Sequence, residues 1–85
     1  MSRARDVVEV VARALTLEPD QVAVRETTDR DGSLVELHTA PGDLGRIIGR
    51  QGRTANAIRT IAMAASERDG VEVTIEFRDG PPEQD

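Results

Sequence analysis

The chain has 85 residues and carries eleven arginines, no lysine and sixteen acidic residues, which gives a net charge of −5. A single domain of this size buries only about 60–65% of the surface that its unfolded chain exposes, so it holds one thin core and no deep pocket. The absence of cysteine excludes disulfides and thiolate metal sites, and no apolar run approaches the roughly 18 residues that span a membrane. No signal-peptide pattern precedes the first predicted helix. We therefore expect one cytoplasmic domain without a membrane span, a metal or a cofactor.

The first part of the sequence predicts a helix followed by a hairpin. Residues 3–16 place apolar side chains at helical spacing, and Ser2 is a suitable N-cap. These apolar side chains are Val7, Val8, Val11 and Leu15. Pro19 prevents the helix from continuing. Two short strands then flank Asp31-Gly32, a dipeptide that favours a tight hairpin turn.

The second part predicts two helices and a strand. A short helix opens after residues 41–43 and runs through Ile48, and a long helix follows over about residues 53–68. Apolar residues then alternate with polar ones, as in a strand with one buried face. They are Val71, Val73, Ile75 and Phe77. Because residues 79–85 have nothing to bury, we expect one domain over residues 1–78 and a disordered acidic tail after it.

The turn between the two helices contains Gly49 and Gly52, which let the backbone turn sharply and approach a ligand closely. Arg50 and Gln51 lie between them and have no apolar side chain to bury, so we expect the tip of the turn to lie in solvent. The helix that begins near Arg53 directs unpaired N–H groups toward this tip, and such groups favour anionic oxygens. The sequence therefore predicts a phosphate-binding loop.

Charge is distributed unevenly along the chain. Residues 44–66 contain four arginines and no carboxylate, and the remainder carries seven arginines against all sixteen acidic residues, a balance of −9. The four are Arg46, Arg50, Arg53 and Arg59. This polarity steers a polyanion to one surface and repels it from the others. Arginine suits phosphate forks and base stacking, although the lack of lysine fits a general arginine bias equally well.

The glycine turn resembles the core of the KH domain, in which a G-x-x-G loop clamps a short run of nucleic-acid backbone. It reads Ile47-Ile48-Gly49-Arg50-Gln51-Gly52 and is followed by Ile58. Over roughly residues 3–77 the chain is similar to the small bacterial single-KH RNA-binding proteins of the KhpA (YlqC-like) type. The loop in that family is followed by an A-I-R-T run, found here at residues 57–60.

The resemblance implies an α+β fold of the type II (prokaryotic) KH class. Its order is α-β-β-α-α-β, with the helices packed on one face of a three-stranded sheet. The order predicted from hydrophobic periodicity is the same, so the loop and the topology agree.

The resemblance also implies which residues bind single-stranded RNA. Gly49 and Gly52 form the backbone platform, and Arg50 and Gln51 form the exposed clamp. The candidate RNA-binding residues are Arg46, Ile48, Gly49, Arg50, Gln51, Gly52, Arg53 and Arg59. Bases in a KH groove lie against aliphatic side chains, which Ile47, Ile48 and Val35 are placed to supply; for Ile47, core packing is the favoured alternative.

Partners and biological role also follow from the resemblance alone. It implies an RNA chaperone or post-transcriptional regulator, a complex with a KhpB-type protein carrying KH and R3H domains, and a link to cell shape. It implies no small-molecule substrate.

The pattern of apolar residues around the long helix also predicts self-association. These residues fill an arc of roughly 180°, wider than the stripe of about 100° that one sheet contact requires. They are Ala55, Ala57, Ile58, Ile61, Ala62, Ala64 and Ala65. Small Ala57 and Ala64 lie at one edge and let a second helix approach closely. The competing explanation is that alanine is simply the best helix former.

Other function classes were weighed against this one. Catalysis has little to use, because the chain has one histidine, no cysteine and no serine with a recognisable base; we expect His38 to be a surface residue. A helix-turn-helix DNA reader is disfavoured by three strands and a two-glycine turn. It would present to the major groove Arg53, Asn56, Thr60 and Met63. A module that mainly binds protein, with weak RNA contact, remains open because of the acidic exterior.

Overall fold

The computed structural model describes residues 2–83. Its helices are α1 (Arg3–Leu15), α2 (Leu44–Ile48) and α3 (Arg53–Asp69), and its strands are β1 (Ala23–Asp29), β2 (Gly32–Thr39) and β3 (Val73–Asp79). Single 3₁₀ turns cover Pro19–Gln21 and Arg50–Gly52. The predicted order α-β-β-α-α-β is confirmed, and the fold is the α+β arrangement of the type II KH class.

The sheet is mixed, with strand order β1-β2-β3. β1 pairs antiparallel with β2 through a hairpin, and β2 pairs parallel with β3, so that Leu37 lies between Val24 and Phe77. A parallel pair needs a crossover connection, and α2 with α3 supplies it. Both β1 and β3 are edge strands, and the outer edge of β3 pairs with no other strand among residues 2–83.

The core lies between one face of this sheet and the layer of α1 and α3. It is filled by fully buried aliphatic side chains, which include Val8, Val35, Leu37, Ile47 and Ile58. At one end of the layer, the Asp69 carboxylate accepts hydrogen bonds from the backbone N–H of Arg3 (2.9 Å) and from its guanidinium (3.0 Å). The two long helices are therefore tied together where α1 begins and α3 ends.

The hairpin turn lies one residue earlier than its sequence signal indicated. Asp29 pairs with Gly32, so the two-residue loop is Arg30-Asp31, and Gly32 is the first residue of β2. Gly32 has φ 135°, and a Cβ there would lie 2.7 Å from the carbonyl oxygen of Glu72. Glycine is needed at this position because the chain leading into β3 passes against the start of β2.

His38 is buried, so the expectation of a surface histidine was wrong. His38 as a whole residue is 6% exposed, and neither of its ring nitrogens has a hydrogen-bond partner among residues 2–83. It lies on the sheet face away from the helices, because it alternates with the core residue Leu37. The segment after β3 covers that face, lining a cleft of about 410 Å³ together with His38 and Arg25, whose guanidinium donates to the carbonyl of Glu83 (3.4 Å).

β3 continues to Asp79, one residue beyond the predicted domain boundary. The carboxylate of Asp79 accepts from the backbone N–H of Gly42 (3.1 Å), and Gly80 is buried. Gln84 and Asp85 lie outside the described residues, and the disordered tail stays a prediction. No helix within residues 2–83 combines the length and the apolar character needed to cross a membrane.

Candidate nucleic-acid interface

The loop between α2 and α3 reverses the chain within four residues. Gly49 has φ 74° and ψ 175°, Gly52 has φ 72° and ψ 14°, and Gln51 lies in the left-handed region at φ 58° and ψ 23°. Side chains with a Cβ rarely adopt positive φ. Three of the four loop residues therefore have backbone conformations that few sequences tolerate.

The two glycines are required for different reasons. A Cβ on Gly49 would collide with the side chain of Thr54, in the first turn of α3, whereas a Cβ on Gly52 would meet open space. Gly49 thus provides both a positive φ and close packing of the loop against α3. Gly52 provides only the left-handed conformation from which α3 starts.

The loop tip lies in solvent, as predicted. Arg50 and Gln51 are both exposed, and the Gln51 side-chain oxygen accepts from the Arg53 guanidinium at 3.1 Å. This contact holds two long polar side chains beside each other at the N-terminus of α3.

Among the described residues no side chain caps the N-terminus of α3, although the backbone N–H of Arg53 donates to the carbonyl oxygen of Arg50. The N-cap of α3 is Gly52, which has no side chain to accept from the first-turn N–H groups, and the first turn contains no acidic residue. Unpaired N–H groups at a helix N-terminus carry partial positive charge and bind anions. With Arg53 as the first residue of the helix, the position beyond the loop favours a phosphate oxygen.

The predicted arginines differ in how much of their charge is free. Arg50, Arg53 and Arg59 form no ion pair with a carboxylate in the described part of the chain. Arg46 instead lies 3.5 Å from the carboxylate of Asp43, a buried residue that also accepts from two backbone N–H groups. Arg46 is therefore partly neutralised.

Arg59 lies on α3 six residues after Arg53, about 9 Å along the helix axis. Its guanidinium carbon stands over the ring of Phe77, 4.8 Å from the centroid, and its Nη1 donates to the side-chain oxygen of Asn56 at 3.3 Å. Phe77 belongs to β3, so this contact joins α3 to the edge strand. Sequence analysis did not place Phe77 in the site, although the presence of a single aromatic residue in the chain was a usable signal.

The aliphatic surface expected from the resemblance is smaller than predicted. Val35 and Ile47 are fully buried, so neither offers surface to a base, and core packing is the outcome for Ile47. Ile48 is half-buried and stays a candidate. The structure places the four loop residues, Ile48 and Arg53 together, with Arg59 farther along α3. Its described residues hold no cluster of three or more histidine, aspartate and glutamate side chains suited to a metal ion.

Comparison with known proteins agrees with this geometry. The model of the KhpA/KhpB KH domain matches residues 5–77, which is most of the chain. The chain belongs to the KhpA/KhpB KH-domain family. The alternative of a helix-turn-helix protein loses its support, since the fold and the family are both those of a KH domain.

Curated relatives extend over nearly the same length. The "RNA-binding protein KhpA" of Clostridium perfringens is 38% identical over 73 residues, covering 86% of this chain and 97% of its own. The protein of the same name from Mycobacterium bovis is 44% identical over 70 residues, covering 82% and 86%.

A solved structure shows the same fold. Era, in complex with MgGDPNP and nucleotides 1506–1542 of 16S ribosomal RNA, superimposes with a TM-score of 0.63 at 23% identity. The match covers 93% of this chain and 30% of the Era chain. At this low sequence identity the likeness supports a shared fold and no shared function.

Replacing each loop glycine by alanine tests the geometry of the turn. We expect Gly52→Ala to lower the free energy of unfolding by about 1–2 kcal/mol, the cost of a left-handed backbone with a Cβ. Gly49→Ala should cost more, because it adds the collision with Thr54. Urea denaturation followed by circular dichroism measures both. Equal losses for the two variants would contradict the proposed packing of Gly49 against α3.

Proposed function

We propose that this protein binds single-stranded RNA, with the backbone held by the loop from Gly49 to Gly52 and the N-terminus of α3. The observation that carries the proposal is an exposed two-glycine loop leading directly into a helix whose N-terminus has no side-chain cap. Curated relatives named as RNA-binding proteins support the choice of ligand.

The charge distribution supports a one-sided mode of binding. Arg50 and Arg53 lie at the loop and form no ion pair with a carboxylate of residues 2–83, while the chain outside residues 44–66 has a charge balance of −9. A strand that approached any other surface would meet net repulsion. The loop spans only a short stretch of backbone, and a KH loop clamps about four nucleotides. Binding by one domain is therefore weak, on the order of micromolar.

Biological role and location are proposed from the family. From the family resemblance we propose an RNA chaperone or post-transcriptional regulator that pairs with a KhpB-type KH/R3H protein and influences cell shape. Because RNA is the proposed ligand, we place its action in the cytoplasm. We also propose that the expected folded unit of residues 1–78 extends through Asp79, the last residue of β3.

Self-association through α3 is a further part of this proposal. Ile61 is 47% exposed, and Ala57 and Ala64 are exposed on the same side of the helix. Ala55, Ile58 and Ala62, by contrast, are buried in the protein's own core. The apolar arc is thus divided between the core and solvent, and its exposed half supports a helix-to-helix contact. A two-fold pair would set two weak RNA sites side by side and raise avidity.

The exposed loop tip gives the first test. We expect Arg50→Asp with Gln51→Asp to abolish binding of single-stranded RNA in a folded protein, because the new carboxylates repel phosphate. Circular dichroism checks the fold, and a fluorescence-anisotropy titration measures the affinity. Arg50→Asp alone should weaken binding strongly.

Arg30→Asp is the matched control for the single variant Arg50→Asp. It makes the same charge change in the exposed β1–β2 turn, at the far end of β2 from the segment that leads into α2, and should have little effect. Unchanged affinity in the folded double variant would remove the loop from the mechanism. Parallel gel shifts with single-stranded RNA and duplex DNA test the ligand class, and a preference for the duplex would contradict it.

Salt dependence gives the second test. With about two to four phosphates neutralised, log affinity for single-stranded RNA should fall with log salt concentration at a slope of roughly −1.5 to −3. Titrations over a range of salt concentrations measure this slope. A slope near zero would mean that the arginines do not touch phosphate.

Oligomeric state gives the third test. We expect light scattering at about 100 µM to report a dimer for the wild-type protein and a folded monomer for Ala64→Glu, since a buried unpaired carboxylate is strongly unfavourable. Met63→Glu is the control, because Met63 is also exposed but lies about 100° away around the helix. A monomeric wild-type protein would refute the homodimer and leave only the heteromeric complex.

A further inference from the structure

The contact between Arg59 and Phe77 has the features of a base-stacking surface. The ring of Phe77 backs the Arg59 guanidinium at 4.8 Å, and the side-chain oxygen of Asn56 holds one of its nitrogens at 3.3 Å. Both contacts reduce the number of orientations open to the long, flexible side chain of Arg59. The guanidinium plane is thus positioned before any ligand arrives.

The outer side of this guanidinium is available to a ligand. Arg59 is an exposed residue and has no carboxylate partner within residues 2–83. Arg78, on the same strand as Phe77, differs because its guanidinium pairs with the carboxylates of Glu76 and Glu36. Unpaired bases stack on arginine planes as well as on aromatic rings.

The position of the pair fits a strand that begins at the loop. Arg59 lies fewer than two turns along α3 from Arg53, and Phe77 lies on the edge strand whose outer side has no strand partner among the described residues. A backbone that is fixed at the loop and runs along α3 on the side facing β3 would bring its next bases to this pair. Val35 and Ile47, two of the three aliphatic residues expected to receive bases, are fully buried, and only Ile48 of the three is half-buried. This small aliphatic surface leaves room for a further contact with a base.

We propose that the Arg59 guanidinium, backed by the Phe77 ring, stacks against one base of the bound RNA and favours a purine at that position. This inference rests on the proposed binding of single-stranded RNA. A purine presents a larger π-face than a pyrimidine, so it covers more of the guanidinium and gains more from its charge. The pair therefore adds a position-specific preference to a loop that reads only backbone.

Walking a single adenine through a hexauridylate RNA tests the preference without the self-stacking of an adenine run. In the wild-type protein, adenine at one position should raise affinity about threefold or more over hexauridylate. Phe77→Leu and Arg59→Lys should each lose most of this increment, because the first removes the ring and the second keeps the charge but removes the plane. Arg68→Lys, the same exchange on an exposed arginine in the last turn of α3, should leave it unchanged.

Nuclear magnetic resonance of the wild-type protein gives a readout that does not depend on any variant folding. The chain has one phenylalanine, no tyrosine and no tryptophan, so the Phe77 ring signals are assigned directly. On addition of the preferred RNA, the Nε–H resonance of Arg59 should move upfield under the base. The nuclear Overhauser contacts between the Phe77 ring and the Arg59 methylenes should persist.

The outcomes separate this inference from the proposed function. Loss of the Arg59–Phe77 contact on binding, or a uniform affinity at all adenine positions, would overturn the stacking surface while leaving RNA binding by the loop intact. Retention of the adenine increment in Arg59→Lys would do the same, since charge alone would then suffice. A wild-type protein that binds no single-stranded RNA would overturn both.

Discussion

The left-handed turn that joins α2 to α3 is the constraint on which the rest of the site depends. Because a Cβ on Gly49 would collide with Thr54, the loop packs directly on the first turn of α3, and its exposed residues are held at the end of that helix. Ile47 and Ile58 are buried on either side of the turn and anchor it to the core. Local sterics thus fix the conformation of the turn next to a helix N-terminus that has no side-chain cap in the described residues, and our proposal of phosphate binding rests on this arrangement.

Charge then selects the surface that a polyanion meets. The protein is acidic overall, yet within residues 2–83 Arg50 and Arg53 at the loop form no ion pair, whereas Arg46 is partly neutralised by Asp43. In the proposed mode of binding, affinity depends on where the arginines lie and on which of them are already paired. We propose that the loop supplies affinity for phosphate and that the Arg59–Phe77 pair supplies preference for a base.

The sequence predicted the fold because its signals were local and consistent. Helical spacing over α1 and α3, alternation along β3 and two glycines at fixed separation each depend on neighbouring residues. The sequence did not predict burial that depends on a distant segment of the chain. His38 is covered by residues that follow β3. Val35 lies on the opposite face of the sheet, where the helices enclose it. The stacking of Arg59 on Phe77 joins residues 18 positions apart and leaves no periodic trace.

Backbone amide chemical shifts test the central claim most directly. We predict that titration of the ¹⁵N-labelled protein with a single-stranded hexauridylate RNA moves the amides of residues 49–54 most, since these residues form the loop and the first residues of α3, where the proposed phosphate position lies. Amides of the residues whose side chains share the sheet face of His38 should move little. Large shifts confined to that sheet face, or no shift at the loop at saturating RNA, would contradict the account.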